Sequence, residues 1–173
     1  MVGEFQLGDQ TVALTDLAGI SMDDMSEVRG YGLPRGVYLF KVKSGEFKVI
    51  DTSGGNKPAA QFECEVLRVL SLAPVTEGEP IDPNTLIGKT HNETFFLNTE
   101  DQNKLAESIG RVKAFLADIG AVCTGVSLED AIKNSAGVEF TGPIARVTNK
   151  KDPDREYINI KHDKVKPASG AAA

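Results

Sequence analysis

The sequence predicts a mainly β fold, five strands in a Greek-key barrel with one long helix between the third and fourth strands. Three observations predict it. Apolar and polar residues alternate in five separate runs. One stretch, residues 99–119, changes to helical spacing. A chain of 173 residues is punctuated by 17 glycines and 8 prolines and holds no tryptophan, a turn-rich composition. That length is one domain of ordinary size with room for a terminal arm or tail, and 40 % hydrophobic residues suffice for one core.

Residues 1–35 show no sustained period. Residues 15–20 and 21–27 read as short turns or helices and residues 29–36 as a loop, so the region is expected to be an arm packing on the barrel. The barrel is expected over residues 36–164. In its first strand Tyr38, Phe40 and Val42 alternate onto one face, and Phe47, Val49 and Ile50 resume after Ser44-Gly45, which predicts a long strand bent by a bulge at Gly45. Residues 51–58 read as a flexible connection. A second strand places Phe62, Cys64 and Val66 on one face with Gln61, Glu63 and Glu65 on the other. Residues 71–88, with three prolines and several acids, read as an extended loop before a third strand around Phe95-Phe96. Thr99 and Gln102 have capping-box spacing. Leu105, Ile109, Val112, Leu116 and Ile119 then form one helix face, and Gly120 closes it. Ser127 starts a shorter helix. Val138 and Phe140 open a fourth strand bent at Gly142-Pro143, and residues 155–161 form a fifth, with Ile158 and Ile160 on one face and Tyr157, Asn159 and Lys161 on the other. Residues 165–173 are expected to be a disordered tail.

Three strands, a helix and two strands is the element order of the OB-fold. A sandwich would need about seven strands, and a doubly wound sheet would alternate helix with strand throughout.

The net charge of −6 is unevenly spread. Residues 145–173 carry seven bases against four acids, whereas residues 71–144 carry eleven acids against five bases. Positive charge thus gathers where the last two strands meet. Proteins that bind single strands combine basic side chains along the phosphates with aromatic platforms for the bases. OB-folds bind on the face of strands two and three, flanked by the loops between strands one and two and strands four and five. The first of these loops offers Lys57. The second offers Lys150, Lys151 and Arg155, and Tyr157 and Lys161 continue from it. Phe96 is the stacking candidate on strand three, since Phe95 and Phe96 must point to opposite faces. Lys41 and Lys43 alternate away from the first strand's apolar face and join the set. Glu63 and Glu65 put acid on the outer face of strand two, so a nucleic acid would avoid that stretch unless the arm covers it. The competing reading of these residues is a half-buried Tyr157 and a merely solvated basic turn.

No catalytic constellation is legible. Residues 52–57 lack the spacing of a phosphate loop and precede a strand, and Gly30-Tyr31-Gly32 follows no strand. The two histidines accompany no plausible nucleophile, and no set of carboxylates has a magnesium-holding pattern. Cys64, His91, Cys123 and His162 are widely separated, so neither a metal site nor a cofactor is expected. The cysteines read as free thiols in a reducing cytosol. No run of about 18 apolar residues predicts a membrane span, and residues 1–5 do not have the pattern of a signal peptide.

Gly36-Val-Tyr-Leu-Phe-Lys-Val, Phe62-Glu-Cys-Glu-Val, Leu86-Ile-Gly-Lys, Phe95-Phe96-Leu97 with a helix after it, and Ser127-Leu-Glu-Asp before Val138-Glu-Phe together resemble the OB-fold single-stranded DNA-binding proteins of tailed bacteriophages. The resemblance runs from about residue 36 to 164 as spaced short matches, with no one diagnostic motif. It implies a non-enzymatic protein that coats single-stranded DNA without sequence preference during phage replication or recombination, in the host cytoplasm. Phage replication or recombination proteins are the implied partners. Such proteins often end in an acidic tail that recruits partners; residues 167–173 carry no acid. The alternative expectation is a barrel that binds protein, as a virion or assembly component, and no nucleic acid.

Overall fold

The computed structural model describes residues 3–24, 32–74, 79–151 and 156–168, in two units, residues 1–31 and 32–173. In the first, strands β1 (Glu4–Leu7) and β2 (Gln10–Ala13) form an antiparallel hairpin. A short helix α1 (Leu14–Ala18) and a 3-10 turn (Met22–Asp24) follow. The sequence hinted at the turns but not at the hairpin. The boundary expected at residue 35 falls at 31, because Leu33 is 1 % exposed and belongs to the core of the second unit.

That second unit is mainly β. Strands β3 (Gly36–Thr52), β4 (Gly55–Leu72), β5 (Thr90–Phe96), β6 (Glu139–Thr148) and β7 (Glu156–Ile160) lie in the order β5-β4-β3-β6-β7. Every neighbouring pair is antiparallel, and a two-residue β8 (Lys166–Pro167) adds to β6. The sheet is open by backbone pairing.

The β3–β4 hairpin is longer than the sequence indicated. Thr52 pairs with Gly55 across a two-residue turn, so residues 51–58, expected to be flexible, are mostly strand. Thr52 Oγ1 donates to the Gly55 carbonyl at 2.7 Å and accepts from the Gly54 amide at 3.2 Å. The register of β3 slips between Val42 and Ser44, beside the expected bulge. Gly45 serves a different purpose there. Helix α3 (Leu128–Asn134) crosses this spot, and any Cβ on residue 45 would run into the Ile132 carbonyl.

Helix α2 (Gln102–Ile119) turns Val112, Phe115, Leu116 and Ile119 into the core and leaves Lys104, Arg111 and Lys113 exposed. Phe115 meets four other rings, Phe62 at 5.3 Å, Phe95 at 5.2 Å, Phe140 at 5.9 Å and the His162 imidazole at 5.2 Å between centroids. Asp101, not Thr99, is the N-cap, and its carboxylate accepts from the Lys104 amide at 2.8 Å. A carboxylate is at least as good a cap as threonine and also faces the positive end of the helix dipole. Asp101→Ala is expected to cost about 0.5–2 kcal/mol in a denaturant melt, and Thr99→Ala much less. Gly120 ends the helix at φ 85°.

The expected disordered tail is corrected at its start. Val165 is 6 % exposed, Lys166–Pro167 pairs with β6, and the Ala168 amide donates to the Glu139 carbonyl at 3.1 Å. Three backbone pairings and one buried valine outweigh the low propensity of a Val-Lys-Pro-Ala segment. Among the described residues no helix is long and apolar enough to cross a membrane.

Candidate nucleic-acid interface

Alternation along each strand sets the outward face. Ala60, Phe62 and Cys64 of β4 point into the core, so Lys57, Gln61, Glu63 and Glu65 point out, and Ala59, on their side of the strand, is fully covered by its neighbours. Residues directly opposite one another share a face, which places Lys48, Ala59 and Phe96 in one outward row across β3, β4 and β5. Phe95 is buried at 8 % exposure and Phe96 is 46 % exposed. Lys57 is exposed two residues along from Ala59, and Gln61 donates to Thr94 at 3.0 Å in the next row. Phe96 and Lys57 therefore share one patch with Lys48, whose place on this face its alternation with Phe47 and Val49 made readable.

Lys41 and Lys43 sit among acids. Lys41 stands between Glu65 on β4 and Glu139 on β6, and Lys43 Nζ is 4.0 Å from Glu63. Their charge is offset locally.

Tyr157 and Lys161 flank β7 on its outward face. Tyr157 is 56 % exposed and lies opposite Val147 of β6, itself 57 % exposed. Asn159 lies opposite Ala145, and the Lys161 amide donates to the Pro143 carbonyl at 3.0 Å. Tyr157 is thus no buried barrel residue. Beside it runs a groove of about 550 Å³ lined by Arg35, Val37, Ser71, Ala145, Val147 and Lys161. Lys150 and Lys151 are exposed just after β6, where the Asn149 side chain accepts from the Lys151 amide at 2.9 Å. Arg155 lies outside the described residues. Arg35 was not singled out from the sequence. It donates to the Arg146 carbonyl at 2.8 Å, and Arg146 in turn donates to the Leu33 carbonyl at 3.0 Å and to Glu156 at 3.1 Å.

A feature that sequence reasoning missed joins the two patches. Glu93 of β5 is 3 % exposed. Its Oε2 accepts from the Ile160 amide of β7 at 3.1 Å and from His91 Nε2 at 2.7 Å, and its Oε1 accepts from His162 Nε2 at 2.7 Å. An ionised carboxylate only accepts, so both imidazoles donate from Nε2. The two edge strands of the sheet are thereby tied by a side chain where a backbone ladder is absent. The histidines, widely separated in sequence, meet at one carboxylate. Burial alone would push the Glu93 carboxyl up, but hydrogen bonds from His162, His91 and the Ile160 amide, with the field of His91, hold it below the usual carboxylate range. The Cys64 thiol, opposite His91 in the ladder, is pushed up by burial and by the nearby carboxylates of Glu93 and Glu63, which leaves it unreactive. Among the described residues no group of three His, Cys, Asp or Glu is placed to hold a metal ion.

The alternating antiparallel pairings make β5 and β7 run in the same direction. Phe96 lies three residues beyond Glu93, and Tyr157 three before Ile160. At about 3.3 Å per residue the two exposed rings stand roughly 20 Å apart along the strands. Exposed Asn92 and Asn159 and half-buried Thr94 lie between them.

Comparison with known protein families and with curated proteins returned no match to this chain.

Proposed function

We propose that this chain is an OB-type barrel that binds single-stranded DNA without sequence preference and catalyses no reaction. The observation that carries this reading is the pair of half-exposed aromatic residues, Phe96 and Tyr157, each beside exposed lysines at opposite ends of one seam. The strand order supports the fold. Counted from β3, it reads third-second-first-fourth-fifth, with the main helix between the third and fourth strands, and Glu93 draws the third and fifth together.

Function follows from the chemistry of the seam. Phe96 and Tyr157 offer faces to bases of any identity, and Lys57 at one end, Lys150 and Lys151 at the other and Lys161 between the two rings neutralise phosphates. The role that fits is coating exposed single strands in phage replication or recombination, in the host cytoplasm, with replication or recombination proteins as partners.

A salt titration tests the electrostatic part. Each phosphate neutralised on a single strand contributes about −0.7 to the slope of log affinity against log salt. The Lys150→Ala, Lys151→Ala double variant is expected to flatten that slope by about 0.7 for each phosphate no longer neutralised, with unchanged thermal stability. A slope equal to that of the parent protein removes this loop from the interface.

A further inference from the structure

The β3–β4 hairpin leaves an open backbone edge. β6 pairs with β3 only from Gly36 to Lys41, and Val42 exchanges hydrogen bonds with Gly137 and Val138, after which nothing among the described residues pairs with that side of β3. Residues 44–52 therefore form nine residues of strand bonded to β4 alone, their start at Gly45 covered on one face by helix α3 and residues 46–52 clear of it. Successive residues of an antiparallel strand direct their amide and carbonyl alternately to the two sides. Thr52 and Gly55 close a two-residue turn, so Thr52, Ile50, Lys48 and Glu46 face β4, while Asp51, Val49, Phe47 and Gly45 face outward. Val42 faces β6, and the register slip after it gives the same parity. Phe47 is 42 % exposed and Val49 65 % exposed on this stretch.

From this edge we propose that a second copy of the chain pairs with it, antiparallel, about a twofold axis at Phe47. The edge is complementary to itself in that register. Phe47 meets Phe47, Val49 falls opposite Gly45, and Glu46 falls opposite Lys48 twice over. Moving the axis one residue breaks the match. Centred on Lys48, two ammonium groups stand directly opposite, and centred on Glu46, two carboxylates do. Like charges in directly opposed positions oppose pairing and unlike charges favour it, so charge selects the Phe47 register. Within one chain Glu46 and Lys48 lie 3.4 Å apart on the same exposed face, available to exchange partners. An open edge with exposed apolar residues invites pairing, and this one carries the charges that choose its mate.

Analytical ultracentrifugation without nucleic acid tests the proposal with charge swaps. The parent chain is expected to sediment at twice its chain mass at high concentration. Lys48→Glu and Glu46→Lys each set like charges opposite one another twice, and each alone is expected to sediment as a monomer. Mixed in equal amounts they are complementary, and dimers are expected to return; the double swap is expected to dimerise by itself. Circular dichroism of each variant before the run confirms that all are folded. A parent that stays monomeric at every concentration overturns the proposal. Single variants that dimerise as well as the parent, or a mixture that stays monomeric, overturn it equally.

Discussion

Glu93→Ala is expected to destabilise the fold by about 3–5 kcal/mol, the range for removing one partner from a buried ionic network. The loss follows from what the carboxylate does. It receives hydrogen bonds from His91, His162 and the Ile160 amide, and it joins the sheet edges β5 and β7. Without it, His91 (9 % exposed) and the backbone of β7 lose their acceptor inside the protein. Thermal melting reads the change as a fall on the order of 10 °C, at about 2–4 °C per kcal/mol for a chain of this length. A melting temperature within the error of the parent's would show that the tie is dispensable.

The same group sets a pH dependence. The folded Glu93 carboxyl is held below its ordinary value of 4.5, so folding favours the ionised form. Its contribution is fully present above that value and is lost as pH falls through it towards the lower folded value. Denaturant melts in the acidic range below about 4.5 should show the parent losing stability faster than Glu93→Gln, which keeps an acceptor but has no proton to bind. Parallel curves for the two proteins would remove Glu93 from the acid response.

The second large effect is on binding. Phe96→Ala and Tyr157→Ala are each expected to weaken single-strand binding by about 1–3 kcal/mol, the usual worth of a stacked base. Neither should lower the melting temperature much, since both rings are about half exposed and the interior is filled by their neighbours Phe95 and Ile160. A buried aromatic would behave in the opposite way, costing about 3–5 kcal/mol of stability. Fluorescence titration and melting of the same samples separate the two cases. A Tyr157→Ala variant that binds like the parent removes the ring from the interface.

Much of the fold was legible because alternation is a local signal. Tyr38, Phe40 and Val42, or Phe62, Cys64 and Val66, declare a buried face without any knowledge of neighbours, and all six are fully buried. The helical spacing from Leu105 to Ile119 was equally explicit. The Glu93 tie depends on residues 69 positions apart, and no local pattern names both ends. One signal was still available. Phe95 points inward, so the period of two puts Glu93 and His91 inward with it, and a buried carboxylate demands partners. The first hairpin was missed because Gly8-Asp9, a turn-forming pair, separates runs of only four residues. The tail was missed because Val165 and Lys166–Pro167 are too few to show a period.

At the candidate site, residue type was legible and environment was not. Lys57, Phe96, Tyr157 and Lys161 stand exposed on the outward face. Lys41 and Lys43 carry the same charge on the same strand, yet cross-strand register sets them beside Glu65, Glu139 and Glu63. Register decides which lysines remain available to a phosphate, and a single strand read alone does not carry it.

Stacking on Phe96 and Tyr157 requires unpaired bases, and one competition measures that preference most directly. A labelled single-stranded oligonucleotide of mixed sequence is bound to the protein and challenged with unlabelled single strand or with its duplex, between about 50 and 200 mM salt. Single strands of any composition are expected to displace the label, duplex is expected to do so far more weakly, and affinity is expected to fall linearly with log salt. Duplex competing as well as single strand, or no binding of the label at the lowest salt, would contradict single-strand binding on this face.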